Sequence, residues 1–167
     1  MDTEAGQKAV LFVCLGNICR SPIAAMVFKH LVKSRNQSDK WFVDSAGTAG
    51  YHVGNPADSR ARDVLAKNNV PCDHRARQVI EEDFQKFDYI FIMDEANYED
   101  MKSDEKRAVK KGFKANAKIL YLGDYDPQGV KIVEDPYYSD RAAFDVCYQH
   151  CYRSCDNFLN KVEKNEL

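Results

Sequence analysis

The sequence lacks several features that mark whole classes of proteins. No stretch approaches the ~20 apolar residues of a membrane-spanning helix, so no membrane span is expected. Residues 1–8 lack the charged-then-apolar plan of a signal peptide, which favours a cytoplasmic location. With 24 basic and 26 acidic residues the formal net charge is −2, without the basic excess that is typical of nucleic-acid-binding proteins. The composition therefore predicts a cytoplasmic protein with no nucleic-acid partner.

The six cysteines also lack familiar patterns. No Cys-x-x-Cys pair occurs, so the spacing of a zinc site is missing, and a reducing cytoplasm would keep the thiols free. Cys147, Cys151 and Cys155 recur at helical spacing and are interpreted as core residues. The sequence therefore predicts no metal site and leaves Cys14 and Cys19 as candidate reactive thiols.

Apolar runs alternate with amphipathic stretches along the 167 residues. Short, strand-like runs lie at residues 9–13, 41–46, 89–93 and 118–122. Helical patterns follow at residues 22–34, 58–68, 95–101 and 144–162. This alternation predicts an α/β fold: one domain over residues 1–167, with an open four-stranded parallel sheet and helices on both faces.

Two segments fall outside that alternation. Residues 102–114 are rich in charge and are interpreted as a solvated surface. Residues 123–140 contain two prolines and two glycines and are predicted to form a long loop. Long loops in compact domains are more often functional than idle, so residues 123–140 are a candidate functional segment.

The segment between the first predicted strand and the first predicted helix carries the chemistry. It reads Cys14-Leu15-Gly16-Asn17-Ile18-Cys19-Arg20-Ser21. Ligands of open parallel sheets bind beyond the carboxyl ends of the strands, and a helix N-terminus attracts anions. Gly16 permits unusual backbone angles and Asn17 tolerates the left-handed region, so the N–H groups are expected to converge. The segment is therefore predicted to be a phosphate-binding loop.

Within that loop, Cys14, Arg20 and Ser21 have complementary chemistry. Arg20 offers a planar fork that suits two phosphate oxygens at once. The positive end of the helix and Arg20 favour the thiolate form of Cys14, to which Ser21 can donate a hydrogen bond. A nucleophile in such a cradle needs no metal ion.

These residues resemble the signature of the low-molecular-weight protein tyrosine phosphatases, Val-Cys-x-Gly-Asn-x-Cys-Arg-Ser-Pro, which residues 13–22 match in full. The similarity covers nearly the whole chain and includes Asp44-Ser45-Ala46-Gly47-Thr48, His74-Arg75-Ala76-Arg77-Gln78, Met93-Asp94-Glu95-Ala96-Asn97 and Glu134-Asp135-Pro136-Tyr137-Tyr138. The resemblance implies hydrolysis of phosphotyrosine in proteins, and of small aryl phosphates, through a phosphocysteine and without a cofactor.

The resemblance also implies roles for residues outside the loop. Asp135 would protonate the leaving phenolate and then help deprotonate the water that hydrolyses the intermediate. From the residues alone, an aspartate before Pro136 is also typical of a turn. Tyr137 and Tyr138 would wall the pocket entrance, with Tyr51 facing them from the opposite rim.

Further implied roles concern the floor of the pocket and its support. The residues expected to contact the substrate in the loop are Leu15, Gly16, Asn17, Ile18 and Cys19. Asn17, Ser21 and His74 would form a hydrogen-bond network that holds the loop. Asp94 would contact Arg20 or cap the following helix, and the two roles are compatible.

Regulation and partners follow from the same resemblance. A Cys14–Cys19 disulfide would protect Cys14 from irreversible oxidation. Expected partners are phosphotyrosine-containing proteins, with phosphate or vanadate as ligands of the active site. The chain is expected to be a monomer whose self-association, at a rim formed by its tyrosines, is weak at most.

Three alternatives remain at this point. An arsenate reductase on the same scaffold would need further cysteines to carry electrons outward, and none lies between Cys72 and Cys147. A protein arginine phosphatase is associated with threonine at the position of Ile18, so Ile18 favours phosphotyrosine. A non-catalytic phosphate-binding module would be expected to lack Cys14 or Asp135, and both are present.

Overall fold

Four parallel strands form the centre of the protein. The computed structural model describes residues 6–167; residues 1–5, on which the prediction of no signal peptide partly falls, lie outside the described residues. The strands are β1 (Lys8–Cys14), β2 (Trp41–Gly47), β3 (Tyr89–Ile92) and β4 (Lys118–Tyr121). They are ordered β2-β1-β3-β4, and every neighbouring pair is parallel. The predicted four-stranded parallel sheet is confirmed.

Helices follow the strands as the alternation predicted, with two differences. They are α1 (Arg20–Ser34), α2 (Ser59–Lys67), α3 (Asp83–Lys86), α4 (Glu95–Lys110) and α5 (Arg141–Glu163). The short α3 was not predicted. The charge-rich residues 102–114 form a solvated surface as predicted, but α4 was expected to end earlier and continues through most of them to Lys110, with charged side chains that pair three positions apart. Within residues 6–167 every helix is too short or too polar to span a membrane.

Both faces of the sheet are buried, which explains why the strands are continuous apolar runs. Side chains of β1 alternate between the two faces. One set packs into a core with α1, α2 and α5, and consists of Val10, Phe12 and Cys14. The other set packs into a second core with α3 and α4, and consists of Ala9, Leu11 and Val13.

The strand order places the candidate site. From β1 the chain crosses through α1 to β2 on one side, and β3 then pairs with β1 on the other side. The carboxyl end of β1 is therefore the point at which the winding direction reverses, where open α/β sheets bind ligands. Cys14 is the last residue of β1, and α1 begins at Arg20, so residues 14–20 (the phosphate loop) lie at this point.

Candidate active site

Cys14 lies at the base of a pocket, and two donors are close to its sulfur. The Cys14 Sγ lies 3.0 Å from Ser21 Oγ, and the backbone N–H of Asn17 donates to Sγ over 3.3 Å. The Cys14 residue is almost completely buried. Both groups are placed to donate a hydrogen bond to this sulfur, which lies near the N-terminus of α1.

Asn17 connects the phosphate loop to the strand beside it. Its φ is +58°, the left-handed region that asparagine tolerates. The Asn17 side-chain amide donates to Ser21 Oγ (2.8 Å) and to Ser45 Oγ (2.9 Å), and its oxygen accepts from the Arg77 backbone N–H (3.0 Å). The Asn17 side chain is fully buried behind the loop. The side chain therefore faces the protein, as expected for a residue that supports the loop, and a substrate contact of Asn17 through its backbone N–H stays a prediction.

Gly16 was predicted to curl the loop by adopting unusual backbone angles, and the structure differs from this prediction. Its φ lies outside the left-handed region, and Asn17 is the residue that adopts it. A Cβ added to Gly16 would lie 3.0 Å from His52 Cδ2. Gly16 therefore provides space for the imidazole of His52, to which the sequence analysis gave no role.

His74 supports the loop from behind. Its Nε2 lies 2.7 Å from the carbonyl oxygen of Asn17. Burial lowers the pKa of His74, although the Asn17 carbonyl opposes the shift. Since a carbonyl only accepts, the neutral imidazole carries its proton on Nε2 and donates it to the loop.

Arg20 is buried at the start of α1 and is surrounded by acceptors. Its Nη1 donates to Asp94 Oδ2 (2.6 Å) and to the Val133 carbonyl (3.1 Å). Its Nη2 lies 3.7 Å from Asp135 Oδ2. Burial lowers the pKa of Arg20, but the Cys14 thiolate and Asp94 outweigh that effect and raise it overall. The guanidinium therefore stays charged and is held in one orientation.

Asp94 has two contacts at once. Its Oδ1 accepts from the Asn97 backbone N–H (2.8 Å), which caps α4, while Oδ2 accepts from Arg20. A single carboxylate thus fixes the arginine and the first turn of a helix.

These groups open into a cavity of about 330 Å³. The cavity is lined by Cys14, Leu15, Gly16, Ile18, Cys19, Arg20, Tyr51, His52, Asp135, Tyr137 and Tyr138. The rings of Tyr137 and Tyr138 lie 4.8 Å apart in an edge arrangement, and Tyr138 is 91% exposed. The cavity therefore has a cationic, hydrogen-bonding floor and an aromatic rim.

Two residues of the site, His52 and Ser45, have roles that the sequence did not predict. His52 lies between Tyr51 and Tyr137, with ring centroids 6.5 and 6.4 Å away. Ser45 accepts a hydrogen bond from Asn17, as described above. Ser45 lies near the end of a strand that pairs with β1, which was a signal that could have been used. His52 follows Tyr51 in a loop and had no comparable signal.

The remaining cysteines differ from Cys14. Burial raises the pKa of the Cys19 thiol, and Asp58 and Cys14 raise it further, so Cys19 is a neutral thiol near neutral pH. All six cysteines are free. Cys147, Cys151 and Cys155 lie in the core. Among residues 6–167 no three His, Cys, Asp or Glu side chains are grouped in a way that could hold a metal ion.

Comparison with known proteins agrees with this geometry. The family model described as low molecular weight phosphotyrosine protein phosphatase matches residues 9–167. The chain is 51% identical over 161 residues to the protein of that name from Rattus norvegicus, covering 95% of this chain and 98% of the relative.

Solved structures show the same fold. A protein tyrosine phosphatase from Entamoeba histolytica superimposes with a TM-score of 0.86 at 36% identity, covering 96% of this chain and 100% of that one. A Drosophila arginine phosphatase superimposes with a TM-score of 0.84 at 37% identity, covering 92% of this chain and 97% of that one. From the match over residues 9–167 and the identity to the rat protein, the chain belongs to the low molecular weight phosphotyrosine protein phosphatase family.

Proposed function

We propose that this protein hydrolyses phosphotyrosine in proteins, and small aryl phosphates, through a phosphocysteine at Cys14. The observation that carries the proposal is the content of one cavity: a sulfur nucleophile, a buried arginine and a carboxyl group share its lining beneath an aromatic rim. For phosphoryl transfer through a covalent intermediate, Cys14 can be the nucleophile, Arg20 can bind the phosphate and Asp135 can donate the proton.

In the first step the Cys14 thiolate attacks phosphorus. The S–P bond forms as the bond from phosphorus to the phenolic oxygen breaks. Arg20 and the N–H groups of the phosphate loop stabilise the charge on the equatorial oxygens. Asp135 gives its proton to the leaving oxygen, so that tyrosine departs as a neutral phenol.

In the second step water attacks the phosphocysteine. Asp135, now a carboxylate, takes a proton from the water as the new O–P bond forms. The S–P bond breaks and returns the Cys14 thiolate, which the Ser21 hydroxyl and the Asn17 N–H stabilise. Inorganic phosphate is the product, so phosphate and its analogue vanadate are expected to bind in the same cradle.

The rim supports phosphotyrosine as the substrate. Tyr51, Tyr137 and Tyr138 line the cavity and offer aromatic surface to the substrate ring. We expect the shorter phosphoserine side chain not to bring its phosphorus to Cys14. Ile18 lies half-buried in the lining and presents an apolar side chain where threonine is associated with phosphoarginine. The Drosophila arginine phosphatase has the same fold, so the fold also occurs in an arginine phosphatase.

A matched peptide set tests the substrate. Three peptides of one sequence would carry phosphotyrosine, phosphoserine or phosphoarginine at the same position, and phosphate release would be measured with and without EDTA. We expect turnover of the phosphotyrosine peptide alone, unchanged by EDTA, and measurable phosphoarginine turnover in Ile18→Thr. Preference of the unaltered protein for phosphoarginine would refute the substrate assignment. Arsenate should inhibit without being reduced.

Cys19 is proposed as the redox partner of Cys14. Hydrogen peroxide would oxidise the Cys14 thiolate to a sulfenic acid as its O–O bond breaks. Cys19 would then attack the Cys14 sulfur, forming the disulfide and expelling water. Because the pKa of Cys19 is raised, this second step is expected to be slow near neutral pH. Mass spectrometry should show a thiol-reversible loss of two hydrogens; sulfinic acid at Cys14 instead would contradict the pairing.

The setting of the protein completes the proposal. We expect one domain over the whole chain, a cytoplasmic location where its six free thiols stay reduced, and a monomer whose self-association at the tyrosine rim is weak. Sedimentation at increasing concentration tests the last point.

A further inference from the structure

Asp135 sits in a segment that has little support of its own. We call residues 134–140 the acid loop. Most of its residues are exposed, and the Asp135 side chain is 39% exposed. Within the loop, Asp135 Oδ1 accepts from the Tyr137 backbone N–H (3.1 Å), and the Ser139 N–H donates to the Pro136 carbonyl (3.0 Å). These bonds shape the loop but do not attach it to the rest of the protein.

Arg60, in the first turn of α2, makes that attachment. Its Nη2 donates to the Tyr137 carbonyl (3.0 Å), and its Nη1 donates to the Ser139 carbonyl (3.2 Å). Within residues 6–167, these are the two hydrogen bonds by which a side chain outside the acid loop reaches its backbone. The guanidinium also lies 4.5 Å from the ring centroid of Phe144 and 5.7 Å from that of Tyr137.

Asp58 fixes the orientation of Arg60. Its Oδ1 accepts from Arg60 Nε (3.1 Å) and its Oδ2 accepts from Arg60 Nη2 (3.1 Å), a two-point pair that sets the plane of the guanidinium. The Asp58 backbone N–H donates to the carbonyl of Ile18 in the phosphate loop (2.8 Å). The start of α2 therefore touches both halves of the active site.

We propose that Arg60, oriented by Asp58, is a positioning residue that holds the acid loop at the distance from the phosphate loop that Asp135 needs for proton transfer. The Tyr137 carbonyl that Arg60 holds belongs to the residue whose N–H fixes Asp135 Oδ1. A shift of Tyr137 therefore moves the carboxyl group directly. The inference rests on the proposed function, because it assumes that Asp135 is the general acid.

The expected defect is specific to proton transfer. Misplacement of about 1 Å costs catalysis up to about a hundredfold, so Arg60→Gln should lower kcat/KM for phenyl phosphate by about 10- to 100-fold. The loss should be several times smaller for p-nitrophenyl phosphate, whose leaving group needs less protonation. Competitive inhibition by vanadate should be unchanged, because the phosphate loop keeps its own contacts.

Arg62→Gln is the matched control. Arg62 lies on the same helix two residues on, and its Nε donates to the Ala57 carbonyl (3.1 Å) without reaching the acid loop. The same substitution there should leave kcat/KM for both substrates nearly unchanged, because the exposed Arg62 side chain bonds to the Ala57 carbonyl and not to the acid loop. Arg60→Lys keeps the charge but not the fork and should recover only part of the loss.

The decisive measurement is the Arg60→Gln change in an Asp135→Ala background. If Arg60 acts only through Asp135, adding Arg60→Gln to Asp135→Ala should not lower kcat/KM further for either substrate. An undiminished loss in that background, or an equal loss for both leaving groups, would overturn the role of Arg60. If Asp135→Ala itself shows no dependence on the leaving group, the acid assignment fails instead.

A second variant guards against loss of folding. Asp58→Asn keeps a helix N-cap but weakens the pair that orients Arg60. It should show the same dependence on the leaving group with a smaller amplitude. Unchanged kcat/KM for phenyl phosphate in a folded Asp58→Asn protein would contradict the orienting role of Asp58.

Discussion

The two loops that meet at the catalytic pocket are built in opposite ways. In the phosphate loop, four residues are buried: Cys14, Asn17, Cys19 and Arg20. Hydrogen bonds with Ser21 and Asp94 fix three of them, Cys14, Asn17 and Arg20. In the acid loop only Pro136 is buried, Asp135 is exposed, and the attachment to the protein depends on a few contacts. One half of the site is therefore preorganised, and the other half is held from outside.

The difference matches what each loop must do. Stabilising a dianion and a thiolate requires dipoles that are already in place, since reorganising them during the reaction would waste their effect. Delivering a proton requires a group that meets the leaving oxygen and then lets water enter and phosphate leave. Burial suits the first task, and exposure suits the second.

The contrast between the two loops predicts the largest loss of activity for a change at Cys14. Cys14→Ser replaces the thiolate by a hydroxyl that stays protonated, so turnover of p-nitrophenyl phosphate should fall below detection. Vanadate or phosphate binding should persist, because Arg20 and the loop N–H groups are untouched. Calorimetry with phosphate checks the second point. Appreciable turnover by the variant would refute the nucleophile assignment.

A smaller loss is expected in the acid loop. Asp135→Ala should lower the rate by about 10²–10⁴-fold, the range for a lost general acid, and most severely for poor leaving groups. Its thermal stability should be nearly unchanged, because the side chain is partly exposed and is bonded mainly within its own loop. Loss of stability comparable to that of a buried residue would contradict the description of the acid loop as held from outside.

The same contrast explains what could be predicted from the sequence. The continuous apolar run of β1 and the turn into α1 are local features, so the phosphate loop and the sheet followed from residue order. The extension of α4 was missed because its later turns bury little besides Ala108, and a charged helix resembles a charged surface.

Contacts between distant segments were not accessible in that way. Arg60 and His52 acquire their places only when α2, the loop after β2 and the acid loop come together, and no periodic pattern marks either residue. Gly16 was predicted to be needed for its backbone angles, whereas in the structure its missing Cβ leaves room for the His52 ring.

The loss of stability in Asn17→Ala tests how strongly the buried Asn17 side chain holds the phosphate loop. Asn17→Ala removes three hydrogen bonds of a buried side chain and places alanine at φ +58°, so the free energy of unfolding should fall by about 3 kcal/mol. The exposed Asn69, at φ +59°, is the matched control, and Asn69→Ala should lose only about 1 kcal/mol. Equal losses in urea unfolding would mean that the buried network adds nothing.

The smallest expected effect is the pH dependence of stability at two histidines, the half-buried His74 and the buried His150, one beside each half of the site. His74 holds Asn17, and His150 Nε2 lies 2.7 Å from the carbonyl of Val130, in the segment that leads to the acid loop. Burial lowers the pKa of both, although carbonyl contacts and nearby carboxylates oppose the shift. The folded protein therefore resists a proton that the unfolded chain accepts near pH about 6.5.

This difference sets the sign of the pH dependence. The stability contributed by each neutral histidine is complete above about pH 6.5 and is lost as the pH falls through the lowered folded-state pKa. His74→Gln and His150→Gln, which keep a donor but cannot titrate in this range, should each flatten the fall in the free energy of unfolding between about pH 7 and about pH 5. Urea unfolding at both pH values measures the slopes. If His74→Gln left the slope unchanged while His150→Gln flattened it, support of the phosphate loop by neutral His74 would be wrong. The loop would then depend on Asn17, Ser21 and Ser45 alone.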